Sequence, residues 1–276
     1  MPPSARSRLP RLAGPAVLIG LVLTAPAWSL PSGLTFYVSF DKLTTDADFA
    51  KGDPHSTLTA NLELRSAEGV RGAGLLQHKG ERCSYPIDGN LDTSQGTFSI
   101  WVKPLSWEGH SGKFRHFLTV VAGPTYRQLV YLYPVGDEAV FNYIQVNAGT
   151  PEEATWRGGA PVDILQRKEW THLAATWDAH AVRLYANGKR VGEGLVAAPL
   201  PKITAGDFTL CPVDYWNNAQ WGDPDEQTIC DEVRVFDRAL TDDEVLDLYA
   251  LDVPGGRNLT VPPKRAALVI RGRVSL

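Results

Sequence analysis

The stretch Val182-Arg183-Leu184-Tyr185-Ala186-Asn187-Gly188-Lys189-Arg190-Val191-Gly192 decides the fold class. Apolar and polar residues alternate on both sides of Asn187-Gly188. A two-residue type I′ turn needs positive φ at both central positions, and Asn-Gly meets that need at least steric cost. The stretch therefore predicts a β-hairpin. The segment before it, WTHLAATWD (170–178), supplies a third strand.

Outward from this block most of the chain reads as strands. LTFYVSF (34–40), TFSIWVKP (97–104), HFLTVVAG (116–123), LVYLYPV (129–135) and AVFNYIQV (139–146) are rich in β-branched and aromatic residues. Gly, Pro, Asp and Ser clusters separate them, as in an all-β domain. In the 97–104 segment, alternation puts Phe98, Ile100 and Val102 on one face and Ser99 and Trp101 on the other. Apolar bulk on both faces suits an inner strand of stacked sheets. One short helix is predicted: Thr241-Asp242-Asp243-Glu244 is a capping box, flanked by Leu240 and Val245 as a hydrophobic staple. The helix is expected to end near Leu251, before Pro254-Gly255-Gly256.

The N-terminal residues read as a targeting segment. Arg6, Arg8 and Arg11 precede an apolar run from Ala13 to Leu23, and Ala25-Pro26-Ala27 follows as a cleavage signal. The expectation is a signal peptide over 1–27, a domain over 28–253 and a tail over 254–276 whose role is open. The exported protein is then periplasmic, at the cell surface or extracellular. Removing residues 1–27 takes away three arginines and no acids, so the formal charge moves from −4 to −7. An acidic chain without a basic patch is a poor partner for nucleic acid. The apolar run is short for a membrane span, so none is expected in the mature chain.

Four phrases in order carry a family resemblance: GVRGAGLLQHKGERCSYPIDGNLDTSQGTFSIWVKP (69–104), EWTHLAATWD (169–178), VRLYANGKRVGEG (182–194) and ICDEVRVFDRALTDDEV (229–245). Together they resemble the laminin-G-like family of the concanavalin A-like jelly roll, the lectin/glucanase type, from about residue 34 to 251. The resemblance implies a two-sheet antiparallel jelly-roll sandwich with loops along its rims. It does not choose among sugar-binding modules, adhesion domains and glycan-cleaving enzymes. Gly72 and Gly74 are read as serving tight turns, and Trp101 and Trp170 as packing.

For catalysis, glycosidases need two suitably spaced carboxyls. The E-x-D-x-x-E run of the family's hydrolase branch does not occur here. On the acid-bearing strand 230–237, alternation puts Glu232 with Arg234 and Asp231 with Val233 and Val235. Glu232 and Arg234 read as a surface ion pair. No catalytic residue is assigned, and the reading leans away from an enzyme, with glycan cleavage kept as an alternative.

For metal, the resemblance implies calcium at a rim, with Asp41 matching the acid that closes the first strand and Asp231 the acid of the D-E-V-R phrase. The bland reading of Asp231 is a carboxylate held by neighbouring loop amides.

For ligand, the stretch CPVDYWNNAQWGDPDEQTIC (211–230) stands out. Tyr215, Trp216 and Trp221 offer aromatic faces for sugar rings, and Asn217, Asn218 and Gln220 offer polar contacts. Trp107, His110 and Trp156 are candidates for the same surface. Equally, the aromatics are able to fold back as a lid over a satellite core. A Cys211–Cys230 disulfide is expected if the strands FTLC and TICDEV are neighbours, with Cys83–Cys230 as the other pairing. The expected function is an exported binding module for a glycan or polysaccharide. The alternative is a structural or adhesion domain with a cell-surface or extracellular protein partner.

Overall fold

The computed structural model of the protein describes residues 30–58, 62–78, 81–108, 115–122, 126–135, 141–149, 164–196, 202–211 and 226–253. Two antiparallel sheets face each other, as the sandwich reading predicts.

The larger sheet holds, in spatial order, β13 (Lys189–Leu195), β12 (Ala181–Ala186), β11 (Thr171–Trp177), β7 (Gly96–Pro104), β15 (Gln227–Phe236), β1 (Leu34–Val38) and β2 (Phe49–Ala50). Strand β5 (Gly74–His78) pairs with the first half of β15, and β4 (Glu63–Arg65) pairs with β5. The smaller sheet runs β10 (Phe141–Gly149), β9 (Tyr126–Val135), β8 (Arg115–Ala122), β14 (Asp207–Leu210), β6 (Cys83–Pro86) and β3 (Thr57–Leu58). Chain neighbours β14 and β15 therefore lie in opposite sheets.

The Asn-Gly hairpin forms as read. Asn187 and Gly188 sit at φ 48° and 73°, and β12 pairs antiparallel with β13. Asn187 also ties the turn to β11. Its backbone N–H donates to the His172 carbonyl (2.8 Å), and its Oδ1 accepts from the His172 N–H (3.0 Å).

Strand β7 lies between β11 and β15 and is covered on both faces. Phe98, Ile100 and Val102 enter the core between the sheets, with Phe36, Tyr85, Leu118, Val120 and Phe208. Phe36 meets Tyr85 and Phe208 edge-on, with ring centroids 4.6 and 5.2 Å apart. Trp101 faces the other way and stacks on Tyr249, at 5.6 Å and 20°.

That outer face is roofed by helix α1 (Asp242–Asp252), whose Val245 and Leu248 pack with Leu240, Ala174, Tyr185 and Phe236. The capping box forms as predicted: Thr241 Oγ1 accepts from the Glu244 N–H, and the Glu244 carboxylate accepts from the Thr241 N–H at 2.9 Å. Glu244 also holds Arg238 at 2.6 Å. Among the described residues no helix is long and apolar enough to cross a membrane.

Candidate functional site

The two acids singled out for calcium converge on one turn. Residues 69–73 join β4 to β5, and Gly72 takes φ 56°. Asp41 approaches from the end of β1: its Oδ1 accepts from the Ala73 N–H at 2.8 Å. A Cβ on Gly72 would come 1.9 Å from that oxygen, so glycine is required both by conformation and by closeness. Asp231 approaches from β15. Its Oδ2 accepts from the Arg71 N–H of the turn (3.2 Å) and its Oδ1 from the N–H of its strand neighbour Glu232 (2.7 Å), so one loop amide and one strand amide hold it.

Asp41 is exposed and Asp231 is fully buried. Burial first, and then the negative charges of Glu232 and Asp41, together raise the Asp231 carboxyl to about 8 against the two amide bonds. Two carboxyl groups on one turn form an oxygen donor set of the kind a hard cation takes, with the Lys103 ammonium acting on Asp231. Among the described residues no cluster of three or more metal-ligating side chains occurs. Backbone carbonyls and water would have to complete any shell.

Beside this turn the structure corrects the alternation read along 230–237. Asp231 lies opposite Trp101 and Arg234 opposite Ser99, so β15 spends three steps where β7 spends two. The extra residue is a β-bulge, with Glu232 at φ 51°. Cys230, Val233 and Val235 face the core, whereas Asp231 leaves the valine face and pairs with outward-facing Trp101.

Glu232 and Arg234 are not a surface pair. Both are about 2% exposed, and the Arg234 guanidinium bonds Glu232 and Asp252 together, reaching Asp252 at 2.5 and 3.1 Å. Tyr37 donates its hydroxyl to Glu232 (2.8 Å), and Arg234 lies over the Tyr37 ring at 4.7 Å. Arg71 reaches Asp252 from the calcium-candidate turn at 3.4 Å. Asp252 ends helix α1, where a negative charge opposes the helix dipole, and these two arginines offset it. Burial pushes the Glu232 carboxyl up, and Arg234 pulls it back. The network locks turn, bulge and helix end into one unit. Sequence reading missed it because a bulge has no signature in a period-two pattern. The Arg71 within the GVRGAG phrase was the available signal.

The other predicted residues divide. Tyr215, Trp216, Asn218 and Trp221 lie outside the described residues, as do Asn217, Gln220, His110 and Trp156. Trp107 does not join a ligand surface: it is buried, and its indole N–H donates to Thr228 Oγ1 at 2.9 Å. Cys83, Cys211 and Cys230 are buried free thiols, and the expected Cys211–Cys230 bridge is not formed. Strands β14 and β15 occupy facing sheets, so FTLC and TICDEV are not ladder neighbours, yet the Cys211 and Cys230 side chains meet across the core within hydrogen-bonding reach. The Cys230 thiol also donates to Gln77 Oε1 (3.1 Å), and Cys83 to the Tyr85 hydroxyl oxygen (3.3 Å).

At the end of the sandwich where β15 runs out, a cleft of about 260 Å³ opens between the sheets. Lys51, Asp88, Asp92, Lys202 and Asp237 stand around it. Sequence reading did not single it out, because five separate segments contribute and no one of them forms a motif.

Comparison with known proteins agrees with this architecture. Curated protein sequences give no match. Domain 4 of AbnA, an extracellular arabinanase from Geobacillus stearothermophilus, solved with arabinotriose, superposes with TM-score 0.56 and 22% identity, over 79% of this chain and 98% of that one. The binding domain of Paraclostridial Mosquitocidal Protein 1 gives 0.52 and 12%, over 79% and 52%. The botulinum neurotoxin serotype D ligand-binding domain, solved with N-acetylneuraminic acid, gives 0.54 and 10%, over 79% and 50%. The chain thus spans about half of either toxin domain. At these identities the likeness is one of fold. A sequence model described as the concanavalin A-like lectin/glucanases superfamily matches residues 80–246, more than half the chain, and by that match the protein belongs to this superfamily.

Proposed function

We propose that the protein is an exported, non-catalytic glycan-binding module that takes its sugar on the Tyr215–Trp221 segment and is steadied by calcium at Asp41 and Asp231. The observation that carries this reading is the likeness to the arabinanase domain, over nearly the whole of that domain, because its structure holds a bound oligosaccharide. The toxin domain with its bound sialic acid is a second sugar complex on the same fold. The interior acids favour binding over cleavage. Glu232 and Asp252 are engaged by Arg234 beneath a helix, and Asp231 is held by backbone amides, so their chemistry is directed to the scaffold.

The three aromatic side chains Tyr215, Trp216 and Trp221 supply flat apolar faces with polar edges, and Asn218 supplies paired donors and acceptors that select hydroxyl orientation. Calcium at the 69–73 turn would be held by Asp41 and by the ionised form of Asp231, and would steady the turn.

A polysaccharide and oligosaccharide array probed with the mature chain, beside Trp216→Ala and Trp221→Ala, tests the proposal. Selective binding that weakens at least about tenfold in either variant, roughly 1.4 kcal/mol, is the expected result. An array on which the wild-type protein binds nothing contradicts it and favours a protein partner. Reducing-sugar release contradicts the non-catalytic part.

A further inference from the structure

The cleft at the end of β15 is built by five segments: Thr35 on β1, Lys51 after β2, Ile87–Asp92 between β6 and β7, Lys202–Thr204 before β14, and Asp237 after β15. Its frame is held from within. The buried Asn90 side chain accepts from the Gly52 N–H (2.9 Å) and donates to the carbonyls of Asp53 (2.8 Å) and Pro86 (3.1 Å). Thr35 Oγ1 bonds the Asn90 and Val235 carbonyls at 2.7 and 3.1 Å. The Ile203 N–H donates to Thr93 Oγ1 (2.8 Å), and the Ile87 N–H to the Gly206 carbonyl (2.9 Å). The loops are thereby tied to both sheets, so the cleft is preformed and a ligand need not order it.

Its lining alternates donors and acceptors. Lys51 pairs with Asp237 at 2.8 Å and Lys202 with Asp92 at 2.9 Å. An ammonium has three N–H donors, so each lysine keeps two for a ligand while its partner holds it in place. Asp88 adds an exposed carboxylate, and partly buried Ile203 adds a small apolar surface over the buried core side chains of Ile87 and Leu91. Three carboxylates against two ammonium groups disfavour an anion. Hydroxyl groups suit such a lining, because each both donates and accepts. The volume falls below the roughly 300–1,000 Å³ of drug-sized sites, which restricts the occupant to about one ring.

We propose that this cleft is a second binding site, specific for a single neutral sugar unit. It is separate from the Tyr215–Trp221 segment. That segment's described flanks, Cys211 and Glu226, adjoin the far end of β14 and the start of β15, whereas the cleft adjoins the start of β14 and the end of β15. The proposal goes beyond the aromatic-loop reading and stands or falls without it.

The test is amide chemical-shift mapping of the isotope-labelled mature chain titrated with arabinose, galactose and glucose, and with galacturonate as the anionic probe. Saturable shifts at Gly89, Thr204 and Gly206 with at least one neutral sugar are expected. Galacturonate should bind at least tenfold more weakly than its neutral counterpart galactose. Asp88→Ala with Lys202→Ala, both exposed positions whose loss leaves the fold intact, should weaken the neutral sugar at least tenfold. Lys189→Ala, an exposed lysine on β13, should not. The proposal is overturned by the absence of shifts at those three amides, by tighter binding of galacturonate than galactose, or by unchanged affinity in the folded double variant. Shifts confined to residues 212–225 support the aromatic segment alone and overturn the cleft. Shifts at the cleft amides with none in 212–225 do the reverse.

Discussion

Calcium binding at Asp41 and Asp231 is expected to release close to one proton near neutral pH. Burial raises the Asp231 carboxyl from its ordinary 3.8 to about 8, with Glu232 adding to the rise. Such a group is ~90% protonated at pH 7 and ~10% at pH 9, and a metal takes only the ionised form. Binding therefore releases ~0.9 proton at pH 7, and affinity climbs about tenfold per pH unit up to about pH 8 before levelling. The same shift sets the stability of the ion-free protein. Because the folded value lies above the unfolded one, the native state keeps a proton that the unfolded chain loses, throughout the window from about 4 to 8. Ion-free stability therefore falls as pH rises through that window, by at most about 6 kcal/mol, and saturating calcium cancels the fall. The assay is calorimetry of calcium binding at pH 7 in two buffers of different ionisation heat. Chelator-treated melts of wild type and Asp231→Asn at pH 5 and pH 8 complete it. The wild type should lose melting temperature relative to the variant as pH rises, and the variant should lose the calcium response. Calcium binding without proton release, or a wild-type curve parallel to that of Asp231→Asn, would refute the reasoning.

Arg234→Ala leaves Glu232 and Asp252 as buried charges without their partner and should cost about 3–5 kcal/mol in urea unfolding. Gly72→Ala forces a side chain into φ 56° and onto the Asp41 carboxylate, so about 1–3 kcal/mol of stability should be lost, together with weaker calcium binding by calorimetry. Thr241→Ala removes the N-cap of α1 and should cost about 1 kcal/mol, read by thermal melts. All three thiols are buried, so a thiol reagent should label the folded chain slowly and reach three equivalents only after denaturation.

The fold was legible where local chemistry dictates geometry. Asn187-Gly188 permits few alternatives to a type I′ hairpin, Thr241 to Glu244 announces a helix start, and the mixed faces of β7 reveal a strand covered twice. What stayed hidden depends on contacts between distant segments. One inserted residue at Glu232 moved Asp231 off the valine face and turned an apparent surface pair into a buried network. Strand neighbours cannot be read from order along the chain. Strands β14 and β15 lie in facing sheets rather than side by side, so Cys211 and Cys230 meet across the core and not along a ladder. The meeting of Asp41 with Asp231 came from family phrases and is matched by a shared turn, while the five-segment cleft left no linear trace.

The most direct measurement is a tryptophan-fluorescence titration of the mature chain with its best glycan, run with calcium and then with excess chelator, beside Trp216→Ala. The account predicts a saturable shift that weakens at least about tenfold in Trp216→Ala, near 1.4 kcal/mol, and that loses affinity on chelation. A response that is unchanged in the variant, or absent in the wild type, would contradict a sugar platform at Tyr215–Trp221.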